Sequence, residues 1–232
     1  MQTKLIGGGT AGLAGAELGI DPTFQAARVV QRPLDYAALG QILGHYRVGG
    51  KSGLMTGIAG AGPIFSFRWA QANAYAVIQQ VKITGMITTA FTTPQVNDID
   101  MIAARSFTAS DTGGTALTPT GNTGKARTSM GTTQVADIRI ATTAALGAGT
   151  RTLDASAMWI GHYITGNTAV TGAAPQGVVQ DLIIYEPDLN AAQHPLVLAL
   201  NEGFVLRIVT AQGAVGVTTI YVHVKWAEVV VF

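Results

Sequence analysis

The chain has 232 residues, of which 48% are hydrophobic and 12% are charged, with a formal net charge of +1 and no cysteine. Soluble domains carry about 25% charged residues, so the low charge excludes a strongly basic nucleic-acid binder and a polybasic membrane-surface protein. The missing cysteines exclude a disulfide scaffold, a thiol nucleophile and cysteine-ligated zinc. No apolar run reaches the roughly 18 residues of a membrane-spanning helix. A surface this poor in charge is typical of a protein that packs against other subunits.

Residues 1–62 are predicted to form an extended N-terminal arm and glycine-rich loops outside the folded body. Glycines interrupt the first apolar run, which favours an arm over a signal peptide. Asp21 followed by Pro22 is a helix-start signal, so one short helix is predicted there. One or two further helical turns are predicted around Leu34–Leu43, and Gly49–Pro63 is predicted to be a loop.

From Ile64 onward the hydrophobic period changes to two, which predicts strands without intervening helices. The last segment is the clearest, because its apolar residues share one face while Tyr221, His223 and Lys225 share the other. Eight or nine strands separated by Gly, Thr and Pro turns predict an all-β, antiparallel sandwich, and their number and length favour a jelly roll. Residues 63–232 are therefore predicted to be one jelly-roll-like β-sandwich domain.

The centre of the chain, "SFTASDTGGTALTPTGNTGKARTSMGTT" from Ser106 to Thr133, has the composition of a flexible linker. Strands of the same character flank it, so it is predicted to be a long loop within one sandwich, with a short edge strand near Leu117. A loop of this length in a compact domain is usually functional or disordered. We expect it to be held by another subunit or by the sandwich itself, with Lys125 and Arg127 as candidate subunit-interface anchors.

The motif search predicts no catalytic, cofactor-binding or metal-binding residues. "GHYRVGGKS" lacks the first glycine of a phosphate-binding loop, because His45 stands at that position. The four histidines show no metal-ligand spacing. Asp98 and Asp100 share one face of a strand, and Glu186 and Asp188 flank a proline, but neither pair has further oxygen ligands nearby in the sequence. These carboxylates are predicted to be structural, and the chain is predicted not to be an enzyme.

Aromatic side chains offer one candidate binding surface. Trp69 and Trp226 lie on the apolar faces of alternating strands and are predicted to belong to the core. Trp159 and Tyr163, in "WIGHY", are the candidate exposed aromatic patch. Exposed aromatic rings of this kind can form a platform for sugars, so this patch is the basis of a glycan-binding alternative.

Several phrases of the sequence resemble a recurring set of tailed-bacteriophage virion structural proteins. They include "RSFTASDTGGTAL", "KARTSMGTT", "ADIRIATTAALGAGTRTLDA" and "HPLVLALNEGFVLRI", and the resemblance runs from about Leu34 to the C-terminus. The resemblance implies location in a phage particle more firmly than it implies a role, because these proteins are mostly of unassigned role and the phrases carry no chemistry.

The leading hypothesis is a capsid decoration or cement protein on the outer surface of the phage head. Its expected partners are the major capsid protein and copies of itself in a homotrimer, with no direct contact to nucleic acid or membrane and no cofactor. The alternative is a tail- or fibre-associated virion protein that binds host glycan through the aromatic patch. A depolymerase is disfavoured because this sequence shows no convincing acid pair or metal cluster. A major capsid protein is disfavoured because the sequence contains no candidate for the long spine helix of such proteins.

Overall fold

The computed structural model describes residues 42–93, 95–162, 180–188, 193–230 and 232. All of them belong to one compact unit, residues 36–232. The predicted N-terminal arm and the helix expected after Asp21 lie outside the described residues. The described part of the chain contains no helix and twelve strands: β1 (Ile42–Lys51), β2 (Pro63–Trp69), β3 (Tyr75–Thr89), β4 (Asp98–Arg105), β5 (Thr115–Ala116), β6 (Asp137–Ile140), β7 (Thr152–Leu153), β8 (Trp159–His162), β9 (Gln180–Tyr185), β10 (Leu196–Leu198), β11 (Glu202–Ile208) and β12 (Val217–Val229).

The strands form two antiparallel sheets. The first sheet has the order β1-β12-β3, and β9 and β10 both pair with the far edge of β3. The second sheet has the order β5-β6-β2-β11-β4, and β7 and β8 both pair with the far edge of β4. The two sheets pack face to face, so the predicted all-β, antiparallel sandwich is confirmed.

The strand order is that of a jelly roll. When the short strands β5, β6, β7 and β10 are set aside, the sheets are 1-12-3-9 and 2-11-4-8. Successive strands alternate between the sheets except at the central step from β4 to β8, which produces the two Greek keys of this fold. Hairpin contacts inside one sheet are therefore rare, and most pairings join residues distant in the chain.

The core lies between the two sheets and is rich in aromatic rings. The indole of Trp226 meets the ring of Phe67 edge-on at 5.3 Å and stacks on Tyr46 at 5.7 Å, and Phe67 stacks on Phe204 at 5.4 Å. Trp69 and Trp226 are completely buried, which confirms their prediction as core residues. These contacts tie both sheets to the same cluster.

The outer face of the second sheet is covered by the chain itself. Ile102 and Val205 project away from the core, yet both are buried. The cover segment, which we define as residues 106–111, is held by Arg68, whose guanidinium donates to the carbonyl oxygens of Phe107 and Thr108, both at 2.7 Å. The Phe107 ring is buried over this face.

A buried ion pair fixes the cover segment. Asp111 pairs with Arg151, and the Asp111 carboxylate also accepts the backbone N–H of Gly149 at 2.7 Å. The Arg151 guanidinium lies over the Phe107 ring, 5.3 Å from its centroid. Buried ion pairs of this kind are intolerant of losing one partner, because the remaining charge is then left without compensation.

The first strand of the sandwich lies before the predicted boundary at residue 62. Ile42–Lys51 forms β1 and pairs with β12, whereas helical turns were predicted around Leu34–Leu43 and a loop over Gly49–Pro63. The inward-facing residues of β1 are Gly44, Tyr46, Val48 and Gly50, so two glycines hide the hydrophobic alternation that would identify a strand. β1 is a strand because it pairs with β12, and this pairing cannot be recognised from the local sequence pattern.

Candidate functional site

Positively charged side chains meet on the outer face of the first sheet. Arg47 of β1 lies directly opposite Lys225 of β12, and His223 of β12 lies directly opposite Lys82 of β3. Directly opposed residues of antiparallel strands project from the same face of the sheet. Lys51 extends the row, with its Nζ 5.7 Å from the centroid of the Tyr221 ring. We call Arg47, Lys51, Lys82 and Lys225 the cationic face, on which His223 lies between the charged side chains.

A groove of about 420 Å³ runs between this face and the central loop. Arg47, Gly49, His223 and Lys225 line it from the sheet, and Leu117, Pro119, Thr123 and Gly124 line it from the loop. Its volume lies within the range of about 300–1,000 Å³ that small-ligand sites occupy. One wall is therefore cationic, and the other combines apolar side chains with polar backbone.

The loop that forms the second wall is fixed to the edge of β1. We call residues 117–136 the edge loop. Its Gly124 carbonyl accepts the N–H of Arg47 at 2.8 Å, and its Ala126 N–H donates to the carbonyl of His45 at 2.9 Å. Gly124 has a φ of +74°, and an added Cβ would collide with the carbonyl oxygen of Arg47. Glycine is therefore required at this position for the loop to approach the strand.

A buried carboxylate anchors the far end of the edge loop. Glu228 is inaccessible to solvent and accepts hydrogen bonds from the hydroxyl of Thr133, the N–H of Gln134 and, at 3.1 Å, Nε1 of Trp226. Burial raises the pKa of Glu228, and the three donors partly oppose that effect. Tyr46 adds a further anchor, since its hydroxyl donates to the carbonyl of Gly131 at 2.9 Å.

The floor of the groove is open because β1 carries glycine there. Gly49 lies opposite His223, and an added Cβ would stand 3.0 Å from the Nδ1 atom of that histidine. On the other side of β1, the Leu117 side chain occupies the space that a Cβ of Gly50 would fill. Gly50 therefore makes room for the edge loop, and Gly49 leaves the groove unfilled.

The two sheets differ in how their cations are neutralised. Four arginines of the second sheet and its loops pair with carboxylates: Arg105 with Asp154 and Glu202, Arg139 with Asp137, Arg151 with Asp111, and Arg207 with Asp100. On the cationic face, no carboxylate of the described residues lies within ion-pair distance of Arg47, His223 or Lys225. Glu186 borders this face, where its Oε1 accepts the side-chain amide of Gln80 at 2.8 Å. Arg47 and Lys225 therefore line the groove with positive charge that no described carboxylate neutralises.

The predicted interface anchors have modest contacts of their own. Lys125 forms an isolated bridge with Tyr46 through its backbone, and its Nζ donates to Oδ1 of Asn122 at 3.0 Å within the same loop. Arg127 is exposed. The sandwich itself holds the edge loop, so the order of this loop does not require a second subunit. A role of Lys125 and Arg127 between subunits stays a prediction.

Trp159 of the predicted aromatic patch is partly buried. This residue lies opposite Met101, which is buried, and its ring is half-buried against the hydrophobic core. The pairing of β8 with β4 turns Trp159 inward and exposes its neighbour Ile160 instead. Tyr163 lies outside the described residues.

Asp98 and Asp100, two of the carboxylates singled out from the sequence, form contacts within the fold. Asp100 accepts Nε of Arg207 at 3.0 Å, and Asp98 accepts the backbone N–H of Thr210 at 2.9 Å. Among the described residues, no three His, Asp or Glu side chains come close enough together to hold a metal ion. The same residues include no helix long and apolar enough to span a bilayer.

The cationic groove was not found from the sequence, because its residues come from two distant strands and a loop. The only available signal was the polar side of the last strand, where His223 and Lys225 alternate with core residues. Comparison with known proteins finds no matching family model, no matching curated protein and no matching solved structure.

Proposed function

We propose that this chain is a structural protein of a bacteriophage virion that binds and stabilises the head shell as a decoration protein. The observation that carries the proposal is the pairing of a jelly-roll body with an open cationic face. The cover segment buries part of the outer face of the second sheet, whereas the outer face of the first sheet carries the groove. A jelly roll alone does not specify a function. The resemblance to tailed-phage virion proteins supports the location of this protein in a phage particle.

The phrases that carry the resemblance correspond to the parts that build the docking body. "RSFTASDTGGTAL" begins at the last residue of β4 and contains the cover segment, and "KARTSMGTT" lies in the edge loop that forms the groove wall and ends at the Glu228 anchor. "GFVLRI" lies in β11, at the centre of the second sheet. These elements set the shape of the body rather than a reaction, which supports a structural role.

Self-association is part of the same proposal. β8 pairs only with β4 among the described strands, and it presents exposed Ile160, preceded by exposed Met158. Exposed apolar side chains at a strand edge are suited to contact with another copy. A homotrimer would bring such edges together around a three-fold axis and would multiply weak contacts with the shell. Light scattering of the purified chain gives the mass of the oligomer and checks this part directly.

The proposal is tested by fractionating the purified virion that contains this chain. Heads and tails are separated after mild disruption, and the chain is quantified in each fraction by mass spectrometry. A decoration protein should be recovered with the heads in a copy number comparable to that of the shell subunit. Recovery with the tail fraction, or in only a few copies per particle, would overturn the proposal.

A further inference from the structure

We propose that the groove on the cationic face binds an acidic, extended protein segment. The proposal is independent of where in a virion the chain resides. It rests on three features of the groove, namely the opposed Arg47 and Lys225, the apolar wall and the glycine floor. Each of them points to the same chemistry of ligand.

The cations select an anionic ligand. Arg47 and Lys225 lie directly opposite each other at the groove, and no carboxylate of the described residues lies within ion-pair distance of either. Lys51 lies further along β1 on the same face of the sheet, so carboxylates of an extended chain can meet positive charge at more than one point along the strand. Charge complementarity of this kind fixes register and specificity at an interface.

The opposite wall favours a peptide over a nucleic acid. Leu117 and Pro119 line the groove and offer apolar contact beside the cations. A peptide in which acidic and apolar side chains alternate would satisfy both walls, whereas a phosphate backbone has no apolar group at that spacing. The formal net charge of +1 also gives little of the long-range attraction on which nucleic-acid binding depends.

The aromatic ring next to the groove is not presented for sugar stacking. Lys51 lies over the face of Tyr221, with its Nζ 5.7 Å from the ring centroid. Gly49 provides a floor of bare backbone instead, and the groove at that point accepts a chain that approaches closely. Shape and charge together therefore favour an acidic peptide over a glycan.

The proposal is tested with the complete chain and three fluorescent probes of matched charge: a ten-residue peptide of alternating Glu and Leu, a heparin oligosaccharide and oligo-dT. Fluorescence anisotropy is measured at low and at physiological salt. The peptide should bind, and its affinity should fall as salt rises. Binding to no probe, or tighter binding to heparin or oligo-dT than to the peptide, would overturn the proposal.

Matched variants separate the groove from general charge. R47E and K225E should each weaken peptide binding by about tenfold, while R127E, which makes the same charge change on the exposed edge loop, should change it by less than about twofold. G49V leaves every charge in place, fills the floor and should also weaken binding about tenfold, with valine well suited to a strand. Equal effects of R127E and K225E, or unchanged binding by G49V, would contradict a groove site. Thermal melting of each variant verifies that it is folded.

Discussion

The side chain of Glu228 and the backbone N–H of Gln134 are joined by hydrogen bonds of 3.1 and 3.0 Å, although 94 residues separate them in the chain. This contact links the last strand of the first sheet to the end of the edge loop. The edge loop forms one wall of the cationic groove, so the groove depends on a carboxylate that is itself remote from the groove lining.

Removal of the Glu228 carboxylate should release the edge loop. E228A leaves the N–H of Gln134, the Nε1–H of Trp226 and the hydroxyl of Thr133 without their acceptor. The Trp226 donor is buried, and an unsatisfied buried donor costs about 1–3 kcal/mol, to which the loss of the two part-buried bonds adds. We expect a loss of about 3 kcal/mol in the free energy of unfolding, measured by urea denaturation. Y46F loses one hydrogen bond to Gly131 and should cost about 1 kcal/mol. Hydrogen exchange should accelerate in residues 117–136 in both variants; unchanged exchange in E228A would contradict the anchor.

The raised pKa of Glu228 predicts a pH dependence of stability with a defined sign. Burial favours the protonated form in the folded state, so the folded chain binds more protons than the unfolded chain between the ordinary carboxyl pKa and the raised one. The contribution of this group to the free energy of unfolding therefore falls as pH rises through that window. The unfolding free energy of the wild type minus that of E228Q, measured by urea titrations from acidic to neutral pH, should fall as pH increases, because only the wild type has a titrating group at this position. A rise of this quantity with pH would show that the hydrogen-bond donors outweigh burial.

The Asp111–Arg151 pair should matter far more than an exposed ion pair. D111A leaves Arg151 buried without a carboxylate, and loss of one partner of a buried pair costs about 3–5 kcal/mol. D154A removes a carboxylate from Arg105 on the surface and should cost less than about 1 kcal/mol. Thermal and urea denaturation of the two variants give the comparison. Similar losses for both would mean that the cover segment is not fixed by the buried pair.

Glycine at position 124 should be indispensable for the groove wall. G124A combines a left-handed backbone, which costs other residues about 1–2 kcal/mol, with a collision against the carbonyl of Arg47. We expect a loss of about 2 kcal/mol or more in unfolding free energy, together with weaker binding of the acidic peptide. G131A is the matched control in the same loop, because an added Cβ there meets nothing within 4 Å. An equally stable G124A protein would contradict the close approach of loop and strand.

The sandwich could be predicted where the alternation of side chains was strong. The last strand separates Val222 and Val224 from His223 and Lys225, and the structure places those two sets on opposite faces. β1 was missed because glycines occupy two of its four inward positions, which removes the hydrophobic signal. Its formation depends on pairing with β12, which a local pattern cannot express.

The order of the edge loop had a partial signal in the sequence. Alternation along β12 puts Glu228 on the same apolar face as Trp226. A carboxylate buried on such a face requires hydrogen-bond donors. The donors themselves lie in a Thr- and Gly-rich segment that has the composition of a linker. The contacts of Gly124 and Ala126 with β1 are made by backbone atoms, so no side-chain pattern identifies them. Composition predicted flexibility where specific backbone contacts fix the loop.

The account is tested most directly by a map of the intact virion at a resolution that identifies side chains. We predict density for this jelly roll at regular positions on the outer surface of the head shell, with Arg47 and Lys225 in contact with an acidic segment of the shell subunit. Density for the chain on the tail axis or at the fibres would contradict the proposed function. Density on the shell with the cationic face turned to solvent would leave the location correct and contradict the groove as the docking site.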